Sequence, residues 1–278
     1  MDLKPGNIRK GIRKNSVSSL PFISTLLTIY TAYLALDLYW PRIPLLSSLL
    51  KYAGILFCFL YVMRTCHFIK KFPSSGRGPD TLPSLPQGAK YTDRSPVLLL
   101  SFFVVLFSDY FLLFTHHAVA GVILFALIQV LYFIYHSGIK KIPAFFIFTI
   151  VTALPLMAVI IGFFRLRGLL PIAAAIYMAM LLVNVFFAIR IAAVQKTVGS
   201  VLFAVGLILY CLCDLNVGLI NAAAFFSGST PHGLDILAAS LCRRICGFFV
   251  WMFYLPAQAM MALSLPCQTS SRPSGVKR

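Results

Sequence analysis

Eight apolar runs of membrane-crossing length recur along the chain, each bounded by Lys, Arg, Pro or Gly. They are Leu20–Trp40, Leu45–Met63, Pro96–Thr115, Ala118–Tyr135, Pro143–Phe164, Leu169–Ile189, Val198–Phe225 and Leu241–Ser264. About 20 apolar residues cross the hydrocarbon layer as a helix, and a helix satisfies its own backbone polar groups where there is no water. Strands of a membrane barrel would alternate apolar and polar positions over short segments, and no run here alternates for long. The pattern predicts an all-α fold, a polytopic membrane bundle of about eight transmembrane helices. Leu20–Trp40 is too long for the apolar region of a cleaved leader and lacks a small-residue cleavage site, so it reads as the first span.

The polar stretches between the runs divide the chain further. Residues 1–19 form a basic tail, 20–264 the transmembrane domain and 265–278 a second tail. One connection is long, residues 64–95. Its Pro, Gly and Ser content (PSSGRGPDTLPSLPQG) predicts a solvated loop.

Composition agrees with this layout. Of 278 residues, 60% are hydrophobic and 11% charged, whereas a soluble domain carries about 25% charged residues. The net charge is +17, and its distribution predicts orientation. With the N-terminus inside, the cytoplasmic side collects Lys4, Arg9, Lys10, Arg13, Lys14, Arg64, Lys70, Lys71, Arg77, Lys90 and Arg94. It also takes Lys140, Lys141, Arg190, Lys196, Arg272, Lys277 and Arg278. Arg42, Arg165 and Arg167 fall outside, and Lys51, Arg243 and Arg244 lie within or at the outer ends of spans. The positive-inside bias therefore predicts both termini in the cytoplasm, N-in and C-in, on a multi-pass protein of the cell membrane. The positive charge serves topology and attraction to anionic headgroups. A nucleic-acid partner would need a soluble basic domain, and none is present. The seven cysteines form no CxxC pair, which argues against a zinc site and a disulfide framework.

So few charges make each intramembrane one informative. All seven acidic residues are Asp, and Asp37, Asp109 and Asp214 fall inside apolar runs. Asp37 is near an interface and reads as an end residue. Asp109 and Asp214 lie on the third and seventh spans, which run in the same direction, each roughly 20–25 Å from the cytoplasmic end. Their carboxylates share a layer of the bundle if those helices are neighbours. Other polar residues fall at helical spacing. On the seventh span these are Tyr210, Asp214, Gly218 and Asn221. Gln129, Tyr132 and His136 lie on the fourth, Tyr254 and Gln258 on the eighth, and His116 follows Asp109 by seven positions. Arg243 and Arg244 are the nearest evident cationic partners for the two Asp residues. The third and seventh spans also share an apolar-x-x-Asp pattern four spans apart, a hint of parallel repeats.

At these residues the chain resembles the YhhN/lysoplasmalogenase family. LLLSFFVVLFSDYFLLF and GVILFALIQVLYFIYH resemble that family's third and fourth spans. VGSVLFAVGLILYCLCDLNVGL resembles its later Gly-x-x-x-Phe…Ser-Asp segment, and WMFYLPAQAMMALS its closing Tyr-x-x-Ala-Gln stretch. Order and spacing agree over roughly residues 45–265. Asp109 and Asp214 match the family's two acidic positions, Tyr132 its Tyr on the fourth span, and Tyr254 with Gln258 its last motif. The chain departs at Gln129, where the family commonly has His, and at Cys213, where Ser usually precedes the second Asp.

The resemblance implies hydrolysis of the vinyl-ether bond of lysoplasmalogen, giving a fatty aldehyde and a glycerophospho headgroup. The residues suit that chemistry. A carboxylic acid kept neutral can protonate the enol carbon, and an ionised one can stabilise the cation and orient water. Asp109 and Asp214 are the candidate catalytic pair. Gln129, Tyr132, Tyr210, Arg243, Arg244, Tyr254 and Gln258 are candidate substrate-binding residues, with the Arg residues or His116 near the phosphate. The expected partners are membrane lipids and a lysophospholipid-like substrate entering from the bilayer, with no cofactor or metal. Two other readings use the same residues. One is a cation- or proton-coupled small-molecule transporter; the other is a non-catalytic lipid-binding relative, favoured by Gln129.

Overall fold

The computed structural model describes residues 19–39, 43–71, 94–115, 117–162, 169–229 and 233–270. Among them every regular element is helical. The helices are α1 (Leu20–Tyr39), α2 (Pro44–Lys71), α3 (Ser95–Phe114), α4 (Ala118–Ser137), α5 (Ile142–Gly162), α6 (Leu169–Gln195), α7 (Val198–Ser229) and α8 (Gly233–Ser270). All eight are long and apolar enough to cross a membrane. The chain is a multi-pass, all-helical membrane protein.

Several helices outrun the apolar runs that predict them. Helix α2 continues through Arg64 to Lys71, into the first part of the long loop. Helix α6 continues through Arg190 to Gln195, and α8 extends from Gly233 to Ser270, past the expected start of the C-terminal tail. Loss of apolar character marks the end of the hydrocarbon layer and not the end of a helix, because Lys and Arg carry their charges outward on apolar stems. The run ends at Trp40 and Phe164 lie outside the described residues.

Backbone packing closes the helices into a ring. Helix α2 packs on α3, α3 on α4, α4 on α6, α6 on α7, α7 on α8, and α8 returns to α2. Helix α1 sits outside against α2 and α8, and α5 sits outside against α6 and α4. These two flanking helices are the least buried spans. The packing of α1–α4 therefore repeats in α5–α8. Burial repeats with it when Asp109 is aligned with Asp214. Leu98 and Phe203, Ser101 and Gly206, Phe102 and Leu207, Val105 and Tyr210, and Ser108 and Cys213 are then all buried. Phe103 with Ile208 and Phe107 with Leu212 are exposed on the opposite, lipid-facing side. The shared Asp pattern in the sequence thus belongs to a parallel repeat of four helices.

Two local devices set the ring. Gly206 lets α7 approach α8: a Cβ there would lie 3.0 Å from the Ala257 carbonyl oxygen and 2.7 Å from Met261 Cγ. Small residues allow such close approach between membrane helices. Pro256, inside α8, lacks the N–H that would bond the Met252 carbonyl. The Tyr30 hydroxyl donates to that oxygen instead, at 3.1 Å, and Tyr33 donates to the Trp251 oxygen at 2.9 Å. Helix α1 thereby supplies through Tyr30 the hydrogen bond that Pro256 removes, and both tyrosines fasten it to α8.

Candidate functional site

Helices α3 and α7 carry Asp109 and Asp214, but they face each other across the ring instead of packing side by side. Long side chains span the gap. Asp109 is 3% exposed, and both of its oxygens accept from the Tyr254 hydroxyl, at 2.9 and 2.8 Å. The Tyr254 ring stacks on Tyr210 with centroids 5.5 Å apart. On the far side the Tyr177 hydroxyl donates to Asp214 Oδ2. The Phe125 ring lies between the two sides, with its centroid 5.9 Å from Tyr177 and 6.0 Å from Tyr210. Tyr254, Tyr210, Phe125 and Tyr177 thus form a run of rings from one carboxylate to the other.

Below this layer the Tyr132 hydroxyl donates to Gln258 Oε1 at 3.3 Å. Gln258 is one helical turn from Tyr254, so α8 presents both to the same interior. Two buried donors beside the carboxylates, Gln258 Nε2 and the Tyr210 hydroxyl, have no hydrogen-bond partner among the described residues. A buried polar group without a partner costs free energy. These two groups therefore favour a polar atom of a bound molecule.

The expected site residues fall into three places. Asp109, Asp214, Tyr132, Tyr210, Tyr254 and Gln258 come together at the centre of the ring. Gln129 belongs to a neighbouring network: Asn184 Nδ2 donates to its side-chain oxygen at 2.8 Å and to its carbonyl oxygen at 2.7 Å. Asn184 Oδ1 lies 3.1 Å from His136 Nε2. Arg244 is elsewhere, exposed on the wall of a separate cavity beside Asp37 and Lys51. It lies ten residues from Tyr254, roughly 15 Å along the helix, so it is not the partner of either central carboxylate; tyrosines are. Arg243 lies on α8 next to Arg244, with its side chain outside what the structure describes, and His116 lies outside the described residues.

Two further expectations are corrected. Gly218 and Asn221 do not line the interior. Both are exposed, and Asn221 bonds the Val217 oxygen of its own helix at 2.9 Å. Asp37 is more than an end residue, because Lys51 Nζ lies 2.7 Å from its Oδ2. Tyr177 and Asn184 were not anticipated, although their seven-residue spacing puts both on one face of α6. That spacing is the signal that would have found them. No group of three or more His, Cys, Asp or Glu able to hold a metal ion occurs among the described residues.

No curated protein and no solved structure matches the chain. The model of the YhhN family matches residues 81–265, which includes α3 to α7 and most of α8 and leaves out α1 and α2.

Proposed function

Because the chain belongs to the YhhN family and tyrosines hold one buried and one half-buried carboxylate inside its helix ring, we propose that it is a lysoplasmalogenase-like membrane hydrolase. The two tyrosine-held carboxylates, Asp109 with Tyr254 and its stacked Tyr210, and Asp214 with Tyr177, are the observation that carries this reading. One carboxyl, in its protonated form, gives its proton to the outer carbon of the vinyl ether. The other, ionised, steadies the cation that forms on the oxygen-bearing carbon and takes a proton from the attacking water. The resulting hemiacetal collapses to a fatty aldehyde and the free hydroxyl of the glycerophospho headgroup. The Gln258 amide and Tyr210 hydroxyl donors are suited to the ether oxygen or the water.

Purified protein in detergent releases aldehyde from lysoplasmenyl-choline or -ethanolamine on this reading. Asp109→Asn and Asp214→Asn each lower the rate by about 100-fold or more, the usual contribution of a positioned acid or base. Release that is unchanged in both variants removes the mechanism.

A proton-coupled carrier is the second reading, since a chain of tyrosines between carboxylates also suits a proton pathway. Helices α3 and α7 carry no break at their Asp residues, whereas carriers typically bind substrate at unwound segments. A carrier moves solute into proteoliposomes without consuming lysoplasmalogen, so the same preparation separates the two.

A further inference from the structure

A cavity opens where α1 ends and α2 begins, bounded by the first half of α8. Its volume is about 690 Å³, and its walls include Asp37, Ser47, Lys51, Arg244, Phe248 and Trp251. Lys51 is unusual: a Lys in a membrane span that is only 8% exposed. It is held from three sides. Asp37 Oδ2 is 2.7 Å away, and the Trp251 and Tyr33 rings lie 4.8 and 5.9 Å from its ammonium. Ser47 donates to the other oxygen of Asp37 at 2.5 Å, so that carboxylate is held in place on both sides. An ammonium has three donors, of which Asp37 takes one. Arg244 adds a second cation at the exposed edge. Among the described residues the charges on the wall are one negative and two positive, an excess of one positive charge facing a pocket with a large apolar lining. Such a site selects an anionic head attached to an apolar chain.

The cavity also touches the central site. Trp251 lines it, and that ring packs edge-on against Tyr254 at 5.4 Å. Tyr254 is the residue that holds Asp109. A molecule anchored by its head at Lys51 and Arg244 therefore lies one aromatic ring, Trp251, from Tyr254 and two rings from the Asp109 carboxylate. The α1 and α2 residues that build the anchor, Asp37, Ser47 and Lys51, fall outside the stretch that matches the family model.

We propose that the Asp37–Lys51–Arg244 cavity binds the phosphate of a single-chain phospho-amphiphile, with Lys51 and Arg244 on the phosphate and the Phe248–Trp251 wall against the first part of the chain. The assignment of that amphiphile as substrate rests on the hydrolase reading; the binding itself does not.

Trp251 supplies the readout, because the chain has only one other Trp, Trp40, and Trp40→Phe leaves Trp251 as the sole reporter. In uncharged detergent, that protein is titrated with lysophosphatidylcholine, with monoacylglycerol of the same chain, and with inorganic phosphate. Saturable fluorescence change is expected with the lysophospholipid alone. Arg244→Gln, at an exposed position, weakens it by about ten-fold or more, as loss of a charge-assisted bond does. Because Lys51→Gln alone strands the half-buried Asp37, the double variant Asp37→Asn/Lys51→Gln is the second test, and it weakens binding at least as much. Equal binding of monoacylglycerol, or binding undiminished in both variants, overturns the proposal; equal binding of inorganic phosphate shows a free-anion site and overturns it too. If binding behaves as expected while aldehyde release is nil, the cavity stands and the hydrolase reading falls. Aldehyde release that depends on Asp109 but not on Arg244 or the Asp37–Lys51 pair leaves the hydrolase standing and overturns the assignment of the bound amphiphile as its substrate.

Discussion

Tyr254 is the residue on which both halves of the central site depend. Its hydroxyl serves both oxygens of Asp109, and its ring continues toward Asp214 through Tyr210. Tyr254→Phe leaves a buried carboxylate without its donor, which costs about 1–3 kcal/mol. The expected result is a lower thermal midpoint in detergent together with a loss of aldehyde release. Tyr177→Phe does the same at Asp214. Tyr110→Phe, on the exposed face of α3, changes neither and serves as the control. Asn184 is a different case, since it bonds Gln129 and His136 and reaches neither carboxylate. Asn184→Ala lowers stability by about 1–3 kcal/mol by stranding those partners. Thermal scans show that loss, while the rate per folded molecule stays near that of the parent. A large fall in that rate would move the Gln129 network into the site. At this scale the sequence was informative about chemistry and poor about partners. With so little charge in the spans, Asp109 and Asp214 stood out, but what each carboxylate bonds depends on side chains from α8 and α6 that no spacing rule connects to them.

Helix α8 carries Pro256 in mid-span, and α1 repairs the consequence with Tyr30 and Tyr33. This arrangement predicts a thermodynamic cycle. Tyr30→Phe alone destabilises, because the Met252 carbonyl loses its donor in a medium without water. In a Pro256→Ala background the restored N–H bonds Met252 within the helix, and Tyr30→Phe becomes nearly neutral. The coupling between the two substitutions is on the order of 1 kcal/mol, read from thermal unfolding of the four proteins. Additive effects would mean that the tyrosine does not replace the missing bond. Helix existence was legible because apolar length alone specifies a span. Helix ends were not, since α2, α6 and α8 continue as helix into the interfacial zone where the apolar signal stops. The inward face of α6 was also missed, although Tyr177 and Asn184 mark it.

As a whole the molecule is a ring of six helices with α1 and α5 outside, built from two similarly packed sets of four. An even number of spans per repeat keeps the two copies parallel, which sets Asp109 and Asp214 at similar depth on opposite walls. The placement of Lys and Arg predicts that residues 64–95 lie on the cytoplasmic side and the α5–α6 connection on the other. In a cysteine-free background, Ser74→Cys is expected to react with an impermeant thiol reagent only from the cytoplasmic side, and Gly168→Cys only from the outer side. The reverse pattern would invert the topology.

Span number, helical class and the rarity of intramembrane charge are properties of the sequence alone, because the bilayer acts as a uniform solvent that each segment meets independently. The apolar-x-x-Asp motif on the third and seventh spans even hinted at the repeat. Which helices are neighbours is a different kind of information. The sequence reading joined Asp109 and Asp214 on condition that α3 and α7 pack together, and they do not. Tyrosines reaching across the ring join them instead. The same tertiary arrangement moved Arg244 away from the carboxylates and brought it to Lys51 and Asp37. In lipid, helices associate through packing and a few polar contacts and not through burial of apolar surface. One apolar helix face is therefore much like another in the sequence, and only the packed ring decides which polar groups meet.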